Sequence, residues 1–120
     1  MFESTLRNDI MASVKYSDAA IADLEQIGDY ISDSLYNPQA ALNTVRKIQN
    51  AIDMLENFPL IGAPLSSIAD IDTDYRFLVS GNYLTFYRIE DEKVFIDRIL
   101  YGKRDYMVLL FGDSAQTDTF

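Results

Sequence analysis

The chain has 120 residues, which is enough for one hydrophobic core and leaves no natural point of division into two domains. Hydrophobic residues make up 48% of it, a composition typical of globular rather than disordered proteins. The net charge of −9 opposes nonspecific binding to nucleic acid, and the absence of histidine and cysteine excludes imidazole catalysis, thiol nucleophiles, disulfides and His or Cys metal sites.

Charge is unevenly distributed along the chain. Residues 1–70 carry ten acids and four bases, whereas residues 76–106 carry six bases and five acids, so we expect an anionic partner to bind the second part. No apolar run approaches the roughly 20 residues of a membrane span, and the acidic N-terminus does not resemble a signal peptide. We therefore predict a cytoplasmic protein with no membrane partner, no metal, no cofactor and no small-molecule substrate.

Residues 1–10 show no clear periodicity and are predicted to be a flexible tail ahead of one domain over residues 11–112, with a second tail at 113–120. Residues 14–16 alternate as a short strand. Ser17 is a suitable N-cap for a first helix. Its apolar stripe is Ile21, Leu24, Ile27, Ile31 and Leu35, and its predicted solvated acidic face is Asp23, Glu25, Asp29 and Asp33.

A second helix follows directly. Asn37 and Pro38 suit its N-cap and first helical position, and its stripe is Ala41, Val45, Ile48, Ile52 and Leu55. Two amphipathic helices with a short connection predict an antiparallel hairpin. Pro59 then ends the helical region, and residues 60–74 are predicted to be a loop that packs down through Leu60, Ile61, Leu65 and Ile68.

Three strands are predicted near the end of the domain, at residues 75–80, 82–89 and 93–101, because these runs are rich in Val, Ile, Phe and Tyr and alternate in polarity. Tight turns around Gly81 and Asp91 predict an antiparallel meander. Residues 107–111 are predicted to form a short helical turn that closes over the sheet edge. The fold prediction is α+β, in the order β-α-α-β-β-β, with the helical hairpin packed on a small antiparallel sheet.

Several motifs in this order resemble the RelE/ParE superfamily of type II toxin–antitoxin toxins, over residues 14–111. The motifs are Tyr-Ser-Asp-Ala-Ala at residue 16, Phe-Pro-Leu-Ile-Gly at 58, Tyr-Arg-Phe-Leu at 75, Gly-Asn-Tyr-Leu-Thr-Phe-Tyr-Arg at 81, and Arg-Ile-Leu-Tyr-Gly-Lys-Arg-Asp-Tyr at 98. The resemblance implies a small growth-inhibiting toxin that is bound and silenced by a cognate antitoxin.

The superfamily divides by target. RelE-like toxins cut mRNA in the ribosome with a cluster of basic residues and a tyrosine, whereas ParE-like toxins bind and poison DNA gyrase. Arg76 and Arg104 match basic positions of the nucleases, and Tyr106 would be an acid or stacking group, so these three are the catalytic candidates if the chain is a nuclease. However, Leu84 stands where the nucleases have arginine, and the expected pair of lysines is missing.

The ParE-like branch is therefore the closer match, and we predict a gyrase-binding inhibitor with no catalytic centre of its own. Two alternatives remain open: a ribosome-dependent mRNA endonuclease, and a degenerate toxin that binds only its antitoxin. The predicted partner-binding residues are Arg76, Lys103, Arg104 and Tyr106.

Other polar strand residues allow a structural and a functional interpretation. Arg76, Arg88 and Arg98 either bind a partner or pair with acids such as Asp74, Glu90 or Asp97. The tyrosines of the strands either stack on bases or lie half-buried with their hydroxyls in solvent; they are Tyr75, Tyr83, Tyr87 and Tyr101.

Overall fold

The computed structural model describes residues 12–67 and 73–102. Its elements in chain order are β1 (Ser13–Tyr16), α1 (Asp18–Asp29), a π-helix (Tyr30–Ser34), α2 (Pro38–Asp53), a 3₁₀ turn (Met54–Glu56), β2 (Ala63–Pro64), a second 3₁₀ turn (Leu65–Ser67), β3 (Arg76–Ser80), β4 (Tyr83–Glu90) and β5 (Lys93–Tyr101). Within the described residues, no helix has the length and apolar character that crossing a membrane requires.

The strands form one five-stranded sheet in the order β1-β5-β4-β3-β2. The meander of β3, β4 and β5 is antiparallel, as predicted, but β1 pairs with β5 in parallel, from Ser13 beside Lys93 to Tyr16 beside Ile96. The sheet is therefore mixed rather than wholly antiparallel. The predicted α+β class, with two helices packed on a sheet, is confirmed. The polarity pattern of a strand indicates its faces and not the direction of its neighbour, which is why the parallel pair was missed.

The predicted helix starts are confirmed. The Ser17 hydroxyl accepts a hydrogen bond from the Ala20 N–H (2.9 Å) and donates one to the Asp97 carbonyl (2.9 Å), so it caps α1 and ties it to β5. The Asn37 side chain accepts from the Ala40 N–H (3.0 Å) at the start of α2. These caps satisfy backbone donors that have no partner inside the helix.

The apolar stripe of the first helix is only partly correct. Leu24, Ile27 and Ile31 are buried, but Ile21 is 46% exposed and Leu35 is 54% exposed. The π-helix explains Leu35: its N–H donates to the Tyr30 carbonyl (3.3 Å), five residues back, so the wider turn moves Leu35 off the buried face.

The core lies between the helical hairpin and one face of the sheet. Its centre is Ile48, Ile52, Tyr87, Val94 and Ile96, each with no exposed surface. A smaller cluster covers the opposite face, where Leu65 packs against Leu84, Phe86 and Leu100. The sheet is therefore apolar on both faces in its centre.

The predicted loop after the second helix contains more structure than expected. Ala63 and Pro64 form the edge strand β2 beside β3, and Leu65 is buried as predicted. Leu60 and Ile61, however, are 67% and 52% exposed, so the prediction that they pack down is wrong. Ile68 and the predicted helical turn at 107–111 lie outside the described residues, as do both predicted tails, at 1–10 and 113–120.

Candidate partner-binding site

The four residues that sequence analysis assigned to partner binding divide between described and undescribed parts of the chain. Lys103, Arg104 and Tyr106 lie outside the described residues, so their place in the site stays a prediction. Arg76 is described and half-buried at the start of β3.

The Arg76 side chain is directed at the loop of residues 58–62. Its Nε donates to the Gly62 carbonyl (3.0 Å), and its Nη2 donates to the Leu60 carbonyl (3.3 Å). These partners are backbone carbonyls, not Asp74 or another acid. Since two of its three nitrogens are engaged in this way, Arg76 holds the loop in one conformation.

Tyr87 contacts the same loop from the core. Its side chain is completely buried, and its hydroxyl accepts from the Gly62 N–H (3.0 Å) and donates to the Pro59 carbonyl (2.8 Å). The expectation that the strand tyrosines direct their hydroxyls to solvent is therefore wrong for Tyr87. Burial raises the pKa of the Tyr87 phenol, although the Gly62 N–H and the nearby Arg76 charge each favour the phenolate.

Gly62 allows this close contact because it has no side chain. A Cβ atom at this position would lie 2.6 Å from the Tyr87 hydroxyl and 2.7 Å from the Phe77 carbonyl, well inside van der Waals contact. We call the contacts of Arg76 and Tyr87 with residues 59–62 the clamp.

The clamp presents large apolar side chains to solvent. Phe58, Leu60 and Ile61 are 57%, 67% and 52% exposed, and Met54, one turn earlier, is 46% exposed. The Phe58 N–H donates to the Met54 carbonyl (2.9 Å), which keeps the two residues together. We call these four residues the apolar patch.

A second feature joins α1 to the far end of β5. The Asp23 carboxylate accepts from Arg98 Nε (2.8 Å), Arg98 Nη2 (2.9 Å) and the Ile99 N–H (2.8 Å). Asp23 is buried, so its predicted place on a solvated acidic face is wrong. These hydrogen bonds raise the pKa of the Arg98 guanidinium, which is therefore held as a cation in a structural ion pair.

Arg88 is also paired with acids, as the structural interpretation predicted. It donates to Asp97 (3.1 Å) and to Glu90 (2.6 Å), and its guanidinium lies 4.8 Å from the centre of the Phe95 ring. The backbone favours this arrangement because Phe86 pairs with Arg98 while Tyr87 pairs with Ile96, so Asp97 sits in a bulge without a cross-strand partner.

A groove of about 890 Å³ lies between the hairpin and the ends of β4 and β5. Its walls include Ile27 and Ile31 on one side and Tyr83 and Tyr101 on the other. The two tyrosine rings meet edge to face, with centroids 5.4 Å apart at 67°. Tyr87 does not extend this pair into a larger stacking surface, because its ring is buried in the core.

These positions limit the chemistry of the described sheet. Each arginine of β3–β5 is engaged inside the molecule, and Leu84, at the position where nucleases of the resembled group have arginine, is 2% exposed. Within residues 12–67 and 73–102, no cluster of three or more acidic residues is arranged to hold a metal ion. The arginines of β3–β5 therefore do not form a cluster of free cations on the sheet.

Comparison with known proteins agrees with this architecture. A family model for the ParE toxin of the type II toxin–antitoxin system parDE matches residues 14–106. The chain belongs to the ParE toxin family. It is thus the toxin component of a type II toxin–antitoxin system. A search of curated proteins returned no match.

Solved structures resemble this ParE-family toxin over most of its length. The chromosomal ParDE system from P. aeruginosa matches with a TM-score of 0.66 and 26% identity, covering 78% of this chain and 98% of the other. The toxin–antitoxin complex RelBE2 from Mycobacterium tuberculosis matches at 0.51 and 22%, covering 77% and 99%. The DinJ-YafQ complex from E. coli matches at 0.53 and 18%, covering 84% and 99%, and these two show the shared fold alone.

Proposed function

We propose that this ParE-family toxin stops growth by binding DNA gyrase and has no catalytic centre of its own. The observation that carries the proposal is Leu84, which lies in the packed sheet where an RNA-cleaving relative would place an arginine. A buried leucine supplies neither charge nor a proton to a reacting phosphate.

The state of the described arginines supports the same proposal. Cleavage of RNA requires positive charge placed at the developing phosphorane and groups that move protons. Arg76 donates to loop carbonyls, and Arg98 and Arg88 are neutralised by acids. Redirecting any of them to a phosphate would break contacts that the fold uses.

The proposed partners are a cognate antitoxin and gyrase, both in the cytoplasm. The similar ParDE structure from P. aeruginosa is a toxin–antitoxin system, which supports an antitoxin for this chain as well. Lys103, Arg104 and Tyr106 remain the proposed contact residues of the second half, together with the exposed surface that Arg76 supports.

The test is gyrase supercoiling of relaxed plasmid DNA, with and without the purified, antitoxin-free toxin. We expect inhibition, with cleaved DNA accumulating, and no effect on relaxation by a type I topoisomerase, which serves as the control. Addition of the antitoxin should restore supercoiling.

Absence of inhibition at high molar excess would contradict the proposal. If growth nevertheless stops and ribosome-bound mRNA is cleaved, the endonuclease alternative with Arg76, Arg104 and Tyr106 takes its place. If induction without antitoxin causes no growth defect, the chain is a toxin that only binds its antitoxin.

A further inference from the structure

We propose that the apolar patch is the surface with which the toxin binds its target protein, and that the complementary site on the target is an apolar pocket with a basic rim. The inference rests on the proposed function in one respect, namely that the toxin acts by binding a protein. It adds the contact surface, the residues that position it and the chemistry of the partner.

The first argument is the exposure of the patch. Met54, Phe58, Leu60 and Ile61 fall within eight residues, and each residue is between 46% and 67% exposed. In the same loop, Leu65 is completely buried, so the segment has access to the core and still leaves these four outside. Contiguous exposed apolar side chains of this size mark protein-binding surfaces, and a few such residues provide most of the energy of an interface.

The second argument is that the patch is held in one conformation before any partner arrives. Tyr87 and Arg76 make four hydrogen bonds to residues 59–62. The Ile61 N–H also donates to the Phe58 carbonyl (3.1 Å), which closes the turn. Since the loop backbone is already ordered, binding costs less conformational entropy than it would for a mobile loop.

The clamp uses a buried and a half-buried side chain to fix residues 59–62, although the large apolar side chains of this segment, Leu60 and Ile61, lie outside the core. A buried tyrosine hydroxyl and an arginine are both directed at carbonyls of residues 59–62, and Gly62 is required for the fit. In a loop without these contacts, water could hydrogen-bond to the same carbonyls, and neither the tyrosine hydroxyl, the arginine nor the glycine would be required. Arg76 and Tyr87 are accordingly positioning residues of the binding surface.

The third argument is charge, and it selects the partner. Asp53 and Glu56 are exposed in the turns that carry Met54, so the rim of the patch is acidic on this side. The positive charge of Arg76 is directed toward the Leu60 and Gly62 carbonyls. With a net charge of −9 on the whole chain, association with a basic surface is steered and association with an acidic one is opposed.

The same charge argues against a second copy of the chain as the occupant. Two patches brought face to face would juxtapose Asp53 and Glu56 of both copies, between molecules that each carry −9. Enzymes that bind DNA carry basic surfaces because they must neutralise phosphates. A target of that class provides the basic rim that would complement the acidic rim of this patch.

The experiment compares wild type with the double variant Leu60→Asn, Ile61→Asn, which removes apolar surface and leaves the net charge unchanged. Leu42→Asn is the matched control, since Leu42 is 50% exposed on α2, away from the loop. We expect the double variant to need at least about tenfold more protein than wild type to inhibit the target, because truncating each of two central contacts costs about fivefold in affinity and the two losses multiply. Its expression should also arrest growth less than that of wild type. Leu42→Asn should match wild type.

A second variant tests the clamp separately. Tyr87→Phe retains all four side chains of the patch and removes only the hydroxyl that holds Gly62 and Pro59. We expect several-fold weaker inhibition from a protein whose circular dichroism spectrum and cooperative melting are retained. Inhibition equal to that of wild type would overturn the positioning role.

The outcomes separate this inference from the proposed function. If wild type arrests growth without inhibiting gyrase while the double variant relieves the arrest, the patch is supported and the gyrase target fails. Equal activity of the double variant and Leu42→Asn overturns the inference. So does a double variant that stays toxic but loses antitoxin affinity, which would assign the patch to the antitoxin, and so does a wild type that causes no growth arrest.

Discussion

Asp23 shows how much of this fold depends on a single carboxylate. It accepts three hydrogen bonds, two from Arg98 and one from the Ile99 N–H, and so joins α1 to β5 across 75 residues of sequence. Beyond Ile96, β5 has no β1 residue beside it, so the Ile99 N–H would otherwise lie unpaired near the groove. The carboxylate therefore takes the place of a neighbouring strand at this edge.

Replacing Asp23 by Asn should destabilise the toxin. The amide keeps one acceptor but presents a donor to the Arg98 guanidinium, which leaves a partly buried cation without its counter-charge. We expect the free energy of unfolding to fall by about 2 kcal/mol. The measurement is urea denaturation at neutral pH, with Glu25→Gln on the exposed face of α1 as the control. A Glu25 effect as large as that of Asp23 would show that net charge, not the specific contact, is responsible.

At the residue scale, Arg76 makes contacts that its position in the sequence did not indicate. A half-buried arginine at the start of a strand matches the basic position of a nuclease by sequence alone. Its actual partners, the carbonyls of Leu60 and Gly62, are backbone atoms, and backbone acceptors have no sequence signature. Arg98 presents the same problem, because its partner Asp23 is too distant in sequence to be selected from the other acids of the first helix.

At the scale of elements, two glycines in helix and loop have opposite roles. Gly28 lies near the end of α1, where an added Cβ would meet Val45 Cγ2 at an ordinary 3.5 Å. Gly62 lies in the clamp, where a Cβ would be 2.6 Å from the Tyr87 hydroxyl. The loop therefore requires glycine and the helix does not.

The two alanine substitutions should consequently have opposite signs. We expect Gly28→Ala to stabilise the toxin by about 0.5–1 kcal/mol, because alanine is the better helix former and fits the available space. Gly62→Ala should destabilise it by about 1–3 kcal/mol, since Phe77 or Tyr87 must move to admit the methyl group. Thermal melting of both variants measures the difference. A neutral Gly62→Ala would mean that the loop adjusts freely and that the clamp is not rigid.

At the scale of the whole molecule, β1 joins the start of the described chain to the sheet and to the helical hairpin. It lies at the sheet edge in parallel with β5, next to the completely buried Val94 and Ile96. Its own Val14 and Tyr16 pack against the main core. The Ala12 N–H additionally donates to the Glu56 carbonyl (2.8 Å), which joins the start of the described chain to the end of the hairpin.

Truncation should distinguish this strand from the residues before it. Removing residues 1–10, which the sequence predicts to be a tail, should leave the free energy of unfolding unchanged. Removing residues 1–16 should lower it by about 3 kcal/mol or more, because two partly buried side chains and a parallel ladder are lost. Chemical denaturation of both truncated proteins makes the comparison. A large loss from the shorter truncation would contradict the predicted domain boundary at residue 11.

Local patterns in the sequence were sufficient for the two α-helices, for β1 and the meander strands, and for the family. Ser17, Asn37 and Pro38 marked the helix starts through capping, which depends only on neighbouring residues, and the alternation of residues 75–101 predicted the meander. Tertiary contacts decided everything that links distant residues: the parallel β1, the burial of Asp23 beneath Arg98, and the clamp that exposes Leu60 and Ile61. The sequence shows which residues are apolar and could be buried. Whether an apolar residue is buried depends on how distant parts of the chain pack around it, and only the tertiary structure shows that.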